Sequence, residues 1–367
     1  MVSEHIAARR ARAAKGLAER DIDAFLLTPS SDLTYLSGYR IFPSERLTCL
    51  VLTAGGKAKL LVPVLEAPRA RAAATGIPLV TWAETEDPVA RVRDLVGTAS
   101  SLALADQMWA TFVLPFARVF PEARLVTASE VLRALRMRKD DEELAALRDA
   151  ATAADRAFER LARDVRFAGR REHQVARDLT ALLLEEGHEE VKFCIVASGP
   201  NGASPHHETG ERMIENGDVV VCDFGGTVRG YTSDITRTVF VGNGSVPDEV
   251  RRVHDTVRRA QDAGYAAARR GAAAQEVDRA ARRTIGEAGY AGQFLHRTGH
   301  GIGLDGHEHP YLVEGNDEPL EPGMTFSIEP GIYLDGKFGV RIEDIVALAE
   351  GGPEPLNRAD RALARVR

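Results

Sequence analysis

The chain has 367 residues, of which 44% are hydrophobic and 28% are charged, and its formal net charge is −7 at neutral pH. This composition is typical of a folded, water-soluble protein, and the net acidity argues against nucleic-acid binding. The length exceeds that of one ordinary hydrophobic core, so we expect two domains.

The cysteines and the apolar runs favour a cytoplasmic protein. Cys49, Cys194 and Cys222 are far apart and form no CxxC pair, as expected for reduced thiols rather than disulfides. We find no apolar run of membrane-spanning length, and the first residues lack the apolar segment of a signal peptide.

The first third of the chain alternates helix and strand signals. Its Arg-rich start has Ile6, Ala13 and Leu17 at helical spacing, which predicts an amphipathic surface helix. Short apolar runs predict strands at 24–28, 49–53, 59–63, 78–82 and 101–105. This pattern indicates an α/β domain over 1–133, in which no cluster of residues suggests catalysis or metal binding. A second domain, 134–367, is expected to begin in a long charged helix over 133–151.

The second domain contains an internal repeat. The segment ENGDVVVCDFG at 215–225 aligns without a gap with EPGMTFSIEPG at 321–331, and both share the pattern Glu-x-Gly, five residues, an acid, one residue, Gly. Two helical patterns precede each copy and an apolar strand follows it: 141–165, 171–187 and 233–241 in the first half, 247–270, 274–288 and 339–348 in the second. We therefore predict two related halves, each with two helices and a β-hairpin, whose sheets pack together.

Each half places two carboxylates on its hairpin. The midpoint between Asp223 and Asp234 falls in the turn GTVRG, so we expect the two side chains to face each other directly. Glu329 and Glu343 have their midpoint at Gly336, in the turn LDGKFG. Four buried carboxylates in one pocket cannot all ionise without cations, and two divalent ions would neutralise them.

The alternative explanation of the buried acids is ion pairing. Arg237 and Arg341 are close in sequence to Asp234 and Glu343 and could neutralise them. The symmetric arrangement of four acids favours metal binding over this alternative.

A histidine cluster in FLHRTGHGIGLDGHEHP, residues 294–310, adds to the metal hypothesis. His300 lies between glycines, where the backbone can approach a ligand closely, and this glycine-rich segment is unlike a zinc-binding HExxH helix. A surface cluster is the alternative for these histidines. Carboxylate oxygens with one imidazole suit Mn²⁺, Co²⁺, Fe²⁺ or Zn²⁺.

Five motifs in this order carry a family resemblance: CDFGG, TSDITRT, TGHGIGL, SIEPGIY and VRIEDIV. As a set they resemble the ligand motifs of the pita-bread metallopeptidases, and the chain is most similar to the Xaa-Pro branch, prolidase and aminopeptidase P. This resemblance implies an α/β creatinase-like N-terminal domain followed by an α+β pita-bread domain with a pseudo-twofold repeat. Methionine aminopeptidases usually lack the N-terminal domain, and creatinase lacks the metal ligands that are present here.

The resemblance implies a site for two divalent metal ions per chain, with Mn²⁺ expected and Co²⁺, Zn²⁺ or Fe²⁺ as alternatives. Asp234 and Glu343 would bridge the two ions. His300 and Glu329 would complete the ligands of one ion, and Asp223 would chelate the other.

The resemblance also assigns roles around the metals. His206, His296 and His307 would bind the substrate, and His206 and His307 would also assist catalysis. A metal-bridging hydroxide would be the nucleophile, and Glu329 would take the proton from the nucleophilic water and pass it to the leaving nitrogen. The neighbouring His207 is expected to have no direct role.

The activity implied by the resemblance is hydrolysis of the Xaa-Pro peptide bond. The short N-terminal domain favours an Xaa-Pro dipeptidase, with an Xaa-Pro aminopeptidase acting on longer peptides as the alternative. A catalytically inactive binding scaffold is a more remote alternative, which the presence of all five ligand positions disfavours. A dipeptidase must recognise the free carboxylate after the proline, and His296 and His307 are available for this. A homodimer is expected, in which a loop of the partner's N-terminal domain closes the pocket.

Overall fold

The computed structural model describes residues 2–74 and 76–367, with the side chains of residues 2 and 3 left undescribed. The chain divides into two compact units, Met1–Arg136 and Met137–Arg367. The predicted domain boundary, between residues 133 and 134, lies three residues earlier.

The N-terminal unit is built on a mixed β-sheet with strand order β4-β3-β2-β1-β5-β6 among its described residues. The strands are β1 Ala24–Leu27, β2 Cys49–Thr53, β3 Ala58–Pro63, β4 Leu79–Trp82, β5 Ser101–Leu104 and β6 Arg124–Thr127. The sequence predicted all of these except β6, whose four residues are only partly buried or exposed. Strand β6 therefore lacks the buried apolar run by which the others were recognised.

Helices α1–α6 accompany this sheet. They are α1 Val2–Ala18, α2 Ser31–Ser37, α3 Ala67–Ala73, α4 Pro88–Val96, α5 Ala110–Val119 and α6 Ser129–Met137. Ile6, Ala13 and Leu17 of α1 are buried, which confirms the predicted amphipathic helix. Helix α2 begins at a Ser30 cap, whose hydroxyl accepts a hydrogen bond from the backbone N–H of Leu33.

The single helix predicted over 133–151 is wrong, because the chain forms two helices there. Helix α6 ends at Met137, and α7 begins after Asp140 and covers Asp141–Asp164. The Asp140 side chain accepts from the backbone N–H of Glu143, whose carboxylate in turn accepts from the N–H of Asp140. This capping box starts a new helix inside a run of charged residues that, by itself, also fits a continuous helix.

The C-terminal unit contains the two predicted helix pairs. Helix α7 is followed by α8 Glu172–Glu185, and the second pair is α9 Asp248–Ala267 and α10 Ala274–Glu287. The strands are β7 Glu190–Ser198, β8 Val219–Val228, β9 Tyr231–Thr232, β10 Ile235–Val241, β11 Gly299–Gly301, β12 Glu308–Leu312, β13 Thr325–Ile328, β14 Gly331–Leu334, β15 Phe338–Arg341, β16 Asp344–Ala349, β17 Gly352–Pro355 and β18 Ala364–Val366. One sheet has the order β18-β10-β8-β7, with β9 paired to β8, and a second has the order β12-β11-β13-β16-β17. Strands β14 and β15 form a separate two-stranded sheet.

The internal repeat predicted from the sequence is confirmed by these elements. Strand β8 begins 106 residues before β13. With the same offset, the whole of β8 corresponds to the segment that runs from the start of β13 to the end of β14. A bridge between Thr236 and Glu343 joins the two halves next to their hairpins. The carboxylates of the two hairpins are therefore brought to the junction between the sheets.

All three cysteines are free thiols, and Cys49 and Cys222 are buried. Among the described residues, no helix has both the length and the apolar composition that crossing a membrane requires.

Candidate metal centre

The first hairpin differs in register from the prediction. Asp223 pairs across the ladder with Thr236, so Asp234 lies two positions away from the residue opposite Asp223. The turn is centred on Arg229 and Gly230, both of which have positive φ, as a two-residue type I′ turn requires. Direct opposition of the two aspartates was therefore wrong. Their side chains still point to the same face, because side chains alternate with a period of two along a strand.

The second hairpin has the predicted register. Strands β14 and β15 pair across a turn centred on Gly336, with Gly331 opposite Arg341. Strands β13 and β16 continue the same register, with Ile328 opposite Asp344. Glu329 and Glu343, which lie between these paired segments, are consequently opposite each other.

The structure brings all the predicted site residues to one cavity of about 710 Å³ in the C-terminal unit. The five residues predicted as metal ligands line it: Asp223, Asp234, His300, Glu329 and Glu343. The three histidines predicted to contact the substrate line it as well: His206, His296 and His307.

The potential ligand atoms form three overlapping groups, each with its atoms within 4.8 Å of one another. The groups are Asp223–Asp234–Glu343, His300–Glu329–Glu343 and Asp234–His300–His307. Glu343 belongs to the first two groups, and Asp234 belongs to the first and the third. This sharing of carboxylates is what two adjacent cations require. His307, which was not predicted as a ligand, enters the third group because its ring centroid is 3.9 Å from that of His300.

The buried oxygens of this cluster have the chemistry of a cation site. Among the described residues, Asp223 Oδ1, Asp234 Oδ1 and Glu343 Oε1 are buried without a hydrogen-bond partner. Burial, followed by repulsion between the carboxylates, raises the pKa of Asp234 and of Glu343 well above the ordinary range. Burial also raises the pKa of Glu329 to about 7. Divalent cations would satisfy these oxygens and remove the repulsion, so the donor set fits a metal pair.

His300 is held in the form that a metal ligand needs. Its Nδ1 lies 3.1 Å from the carbonyl oxygen of Gly301, which can only accept, so Nδ1 carries the proton. Nε2 is thereby left as an acceptor, 3.7 Å from Asp234 Oδ2 and 3.4 Å from Glu329 Oε1. Burial lowers the pKa of His300 to about 3, so the imidazole is neutral at physiological pH.

The ion pairs that the alternative explanation offered do not form. Arg237 is buried and binds Asp344 at 2.6 Å, and it also donates to the carbonyl oxygen of Glu343 at 2.7 Å. Arg341 binds Asp223 at 2.5 Å. Each arginine therefore pairs with a different acid from the one expected, and neither satisfies Asp234.

His296 is already engaged inside the protein. Its Nδ1 donates to the carbonyl oxygen of Arg297 at 2.7 Å, and its Nε2 accepts from the hydroxyl of Tyr333 at 2.7 Å. The Tyr333 hydroxyl accepts in turn from Arg341 at 2.9 Å. Both ring nitrogens of His296 are therefore occupied within the protein, and the residue lines the cavity. Tyr333 was not predicted as a site residue, because a tyrosine in an apolar strand is more typical of the core.

The loop that carries His206 is organised by Glu172, a second residue missed by the sequence analysis. The Glu172 carboxylate has no exposed side-chain surface and accepts from the backbone N–H and the hydroxyl of Ser198, both at 2.7 Å. It also accepts from Asn201 at 3.0 Å and from His207 Nε2 at 3.0 Å. Burial alone would raise its pKa, but these hydrogen bonds hold the pKa of Glu172 below its ordinary value. His207, adjacent to His206, therefore anchors the loop.

We expect Glu172→Gln to lower the free energy of unfolding by about 2 kcal/mol and kcat/KM by about tenfold. The NH₂ group of the glutamine is itself a donor and would face some of the N–H and O–H donors that now bind the Glu172 carboxylate. The loop that carries His206 would therefore lose its anchor. Thermal unfolding and steady-state kinetics measure the two effects. Glu185→Gln, at the exposed end of the same helix, is the matched control and should change neither quantity by much. Unchanged kinetics in Glu172→Gln would show that the loop is positioned by other contacts.

The chain matches known proteins along most of its length. Residues 145–350 match Metallopeptidase family M24, and residues 9–138 match the Creatinase/Prolidase N-terminal domain. The chain is 44% identical to the probable dipeptidase PepE of Mycobacterium tuberculosis, over 98% of this chain and 96% of that protein.

Solved structures are similar over nearly the full chain. One is the recombinant prolidase from Thermococcus sibiricus, with 36% identity, a TM-score of 0.92 and 98% coverage of both chains. Another is the X-Pro aminopeptidase from Thermotoga maritima, with 32% identity and a TM-score of 0.87, covering 97% of this chain and 99% of that one. With its creatinase-like N-terminal domain and pita-bread C-terminal domain, this chain belongs to metallopeptidase family M24.

Proposed function

We propose that this metallopeptidase hydrolyses the Xaa-Pro bond of dipeptides. The observation that carries the proposal is the cluster of shared, unpartnered carboxylate oxygens beside a neutral His300, at the floor of a cavity large enough for a dipeptide. The similarity to a probable dipeptidase and to a prolidase supports the substrate class. The similarity to an X-Pro aminopeptidase keeps longer peptides as the second candidate.

In this proposal Asp223, Asp234, His300, Glu329 and Glu343 would hold two divalent ions. Asp234 and Glu343 would be shared by both ions, His300 and Glu329 would hold one, and Asp223 would hold the other. Asp234 and Glu343 are the carboxylates that occur in two of the three ligand groups, which supports this assignment. When bound, the ions would supply Lewis acidity, which activates water and polarises the scissile carbonyl group.

The residues of the chain then handle protons and orientation. Glu329 faces the cavity and keeps one oxygen within 3.2 Å of the Ser327 hydroxyl, a position suited to accept a proton from water and pass it to the prolyl nitrogen. His206 and His307 line the more exposed side of the same cavity, where they would orient the substrate and donate to the tetrahedral intermediate. Phe193 and Ile195 add apolar walls that suit a pyrrolidine ring.

We further propose that the ions are Mn²⁺, that the protein is a homodimer and that it works in the cytoplasm. Oxygen-rich ligation with one imidazole supports a metal such as Mn²⁺. The three free cysteines are consistent with a reducing compartment. The homodimer, with a partner loop closing the pocket, is an expectation from the family, and light scattering of the purified protein tests it.

We expect purified protein loaded with Mn²⁺ to release proline from an Xaa-Pro dipeptide, and to cleave Xaa-Pro-Yaa tripeptides with a lower kcat/KM. The measurement is steady-state kinetics on a matched pair that differs only in the added residue. Exhaustive chelation should abolish both activities, and Mn²⁺ or Co²⁺ should restore them.

Two outcomes would contradict the proposal in different ways. A tripeptide cleaved as well as the dipeptide would replace the dipeptidase by an aminopeptidase and leave the reaction class intact. No hydrolysis of the Xaa-Pro bond in either substrate would instead favour a binding scaffold.

A further inference from the structure

Two arginines, Arg297 and Arg341, line the cavity, and they differ in the groups that their side chains contact. Arg341 is almost fully buried, and its guanidinium binds Asp223, Tyr333 and Thr236. Arg297 is half-buried, and among the described residues no carboxylate forms an ion pair or hydrogen bond with its side chain. It is therefore the cation of this cavity that remains available to an anionic ligand.

The position of Arg297 is fixed from both sides. Its guanidinium carbon lies 4.3 Å from the centroid of the Tyr311 ring, which holds the planar group in place. Tyr311 on β12 pairs with His300 on β11. The ring that supports Arg297 therefore lies on the strand next to the one that carries His300. On the other side, the backbone N–H and hydroxyl of Thr298 both bind the buried Asp278, at 2.9 and 2.8 Å.

The imidazoles that line the cavity are weaker partners for a carboxylate. Both ring nitrogens of His296 are engaged inside the protein. The His307 ring lies against His300, with the two ring centroids 3.9 Å apart. A neutral imidazole donates one hydrogen bond, whereas a guanidinium offers a charged pair of N–H donors that matches a carboxylate.

We propose that Arg297, held on the ring of Tyr311, binds the free carboxylate of the dipeptide and so determines the preference for dipeptides. This inference rests on the proposed Xaa-Pro activity and names the residue that selects among its substrates. A peptide extended beyond proline presents a neutral amide at that place and loses the charge-assisted contact. Arg297 is thus a specificity-determining residue, separate from the groups that perform hydrolysis.

The test compares an Xaa-Pro dipeptide with its C-terminal amide, Xaa-Pro-NH₂, which is cleaved at the same bond. Wild-type enzyme is expected to prefer the free acid by about 10- to 100-fold in kcat/KM, the range of a charged hydrogen bond. Arg297→Gln should remove this preference through a higher KM for the acid, while kcat/KM for the amide falls much less. Arg297→Lys should keep part of the preference, because it retains the charge but not the paired donors.

Variants of the supporting ring separate binding from folding. Tyr311→Phe retains the aromatic platform and should keep the acid preference, whereas Tyr311→Leu should weaken it. Arg279→Gln, at an exposed ion pair on helix α10, controls for the loss of one positive charge. Metal content and thermal unfolding are recorded for every variant, so that a folding defect is recognised.

The outcomes distinguish this inference from the proposed function. If wild-type enzyme cleaves Xaa-Pro and Arg297→Gln keeps the full preference for the acid, the role of Arg297 is wrong and the activity stands. An equal loss on acid and amide in Arg297→Gln would also overturn it, since that result indicates a structural role. No hydrolysis of Xaa-Pro by the wild-type enzyme would overturn the proposed function and this inference together.

Discussion

Asp234→Asn and Glu343→Gln are each expected to lower kcat/KM by about 1,000-fold or more. Each change removes a carboxylate that belongs to two ligand groups, so both proposed ions would lose an anionic ligand at once. The Lewis acidity that is lost contributes several kcal/mol to transition-state stabilisation, and each 1.4 kcal/mol corresponds to a factor of ten. Elemental analysis after dialysis should show less bound metal in both variants, and steady-state kinetics should show the loss of activity.

The stability of the metal-free variants provides an independent check. Burial and mutual repulsion disfavour the charged forms of Asp234 and Glu343, so neutral amides at these positions should leave the chelated protein at least as stable as wild type. Glu350→Gln, at an exposed ion pair with Arg270, is the control and should retain metal and activity. Full activity in both ligand variants, or clear destabilisation of their metal-free forms, would contradict a site built for two cations.

Gly299→Ala is expected to destabilise the protein by about 3 kcal/mol and to impair metal binding. A Cβ at this position would lie 1.9 Å from the carbonyl oxygen of Ser327. That oxygen belongs to a paired β-strand, whose displacement costs free energy. The strand that carries His300 would have to shift, and the imidazole would move with it. Denaturant unfolding measures the first effect, and metal titration measures the second.

A second glycine nearby is the matched control for this substitution. A Cβ at Gly292 meets no atom within 4 Å, so Gly292→Ala should change the free energy of unfolding by less than about 1 kcal/mol. If Gly299→Ala proved as stable as Gly292→Ala, and bound metal equally well, the close approach of the His300 strand to Ser327 would not be required.

The sequence by itself determined the repeat and the composition of the candidate site. Buried carboxylates at matching positions of two copies are costly unless a cation neutralises them, so the pattern carries chemical information without coordinates. The register of the second hairpin was also predictable, because the Asp-Gly turn centred on Gly336 specifies the pairing of the strands on both sides. Strand β6 was missed because its four residues are only partly buried or exposed, which removes the apolar signal.

Only the tertiary structure decided which groups the neighbouring side chains bind. The offset of Asp223 from Asp234 depends on the exact centre of a turn, and several turns within GTVRG are compatible with the same apolar run. Arg341 binds an aspartate 118 residues away, and Glu172 anchors a loop about 35 residues ahead, contacts that no local pattern encodes. Whether a polar side chain such as His296 or Arg297 is engaged or available depends on every element that packs around it, because hydrogen bonds are satisfied in three dimensions rather than along the chain.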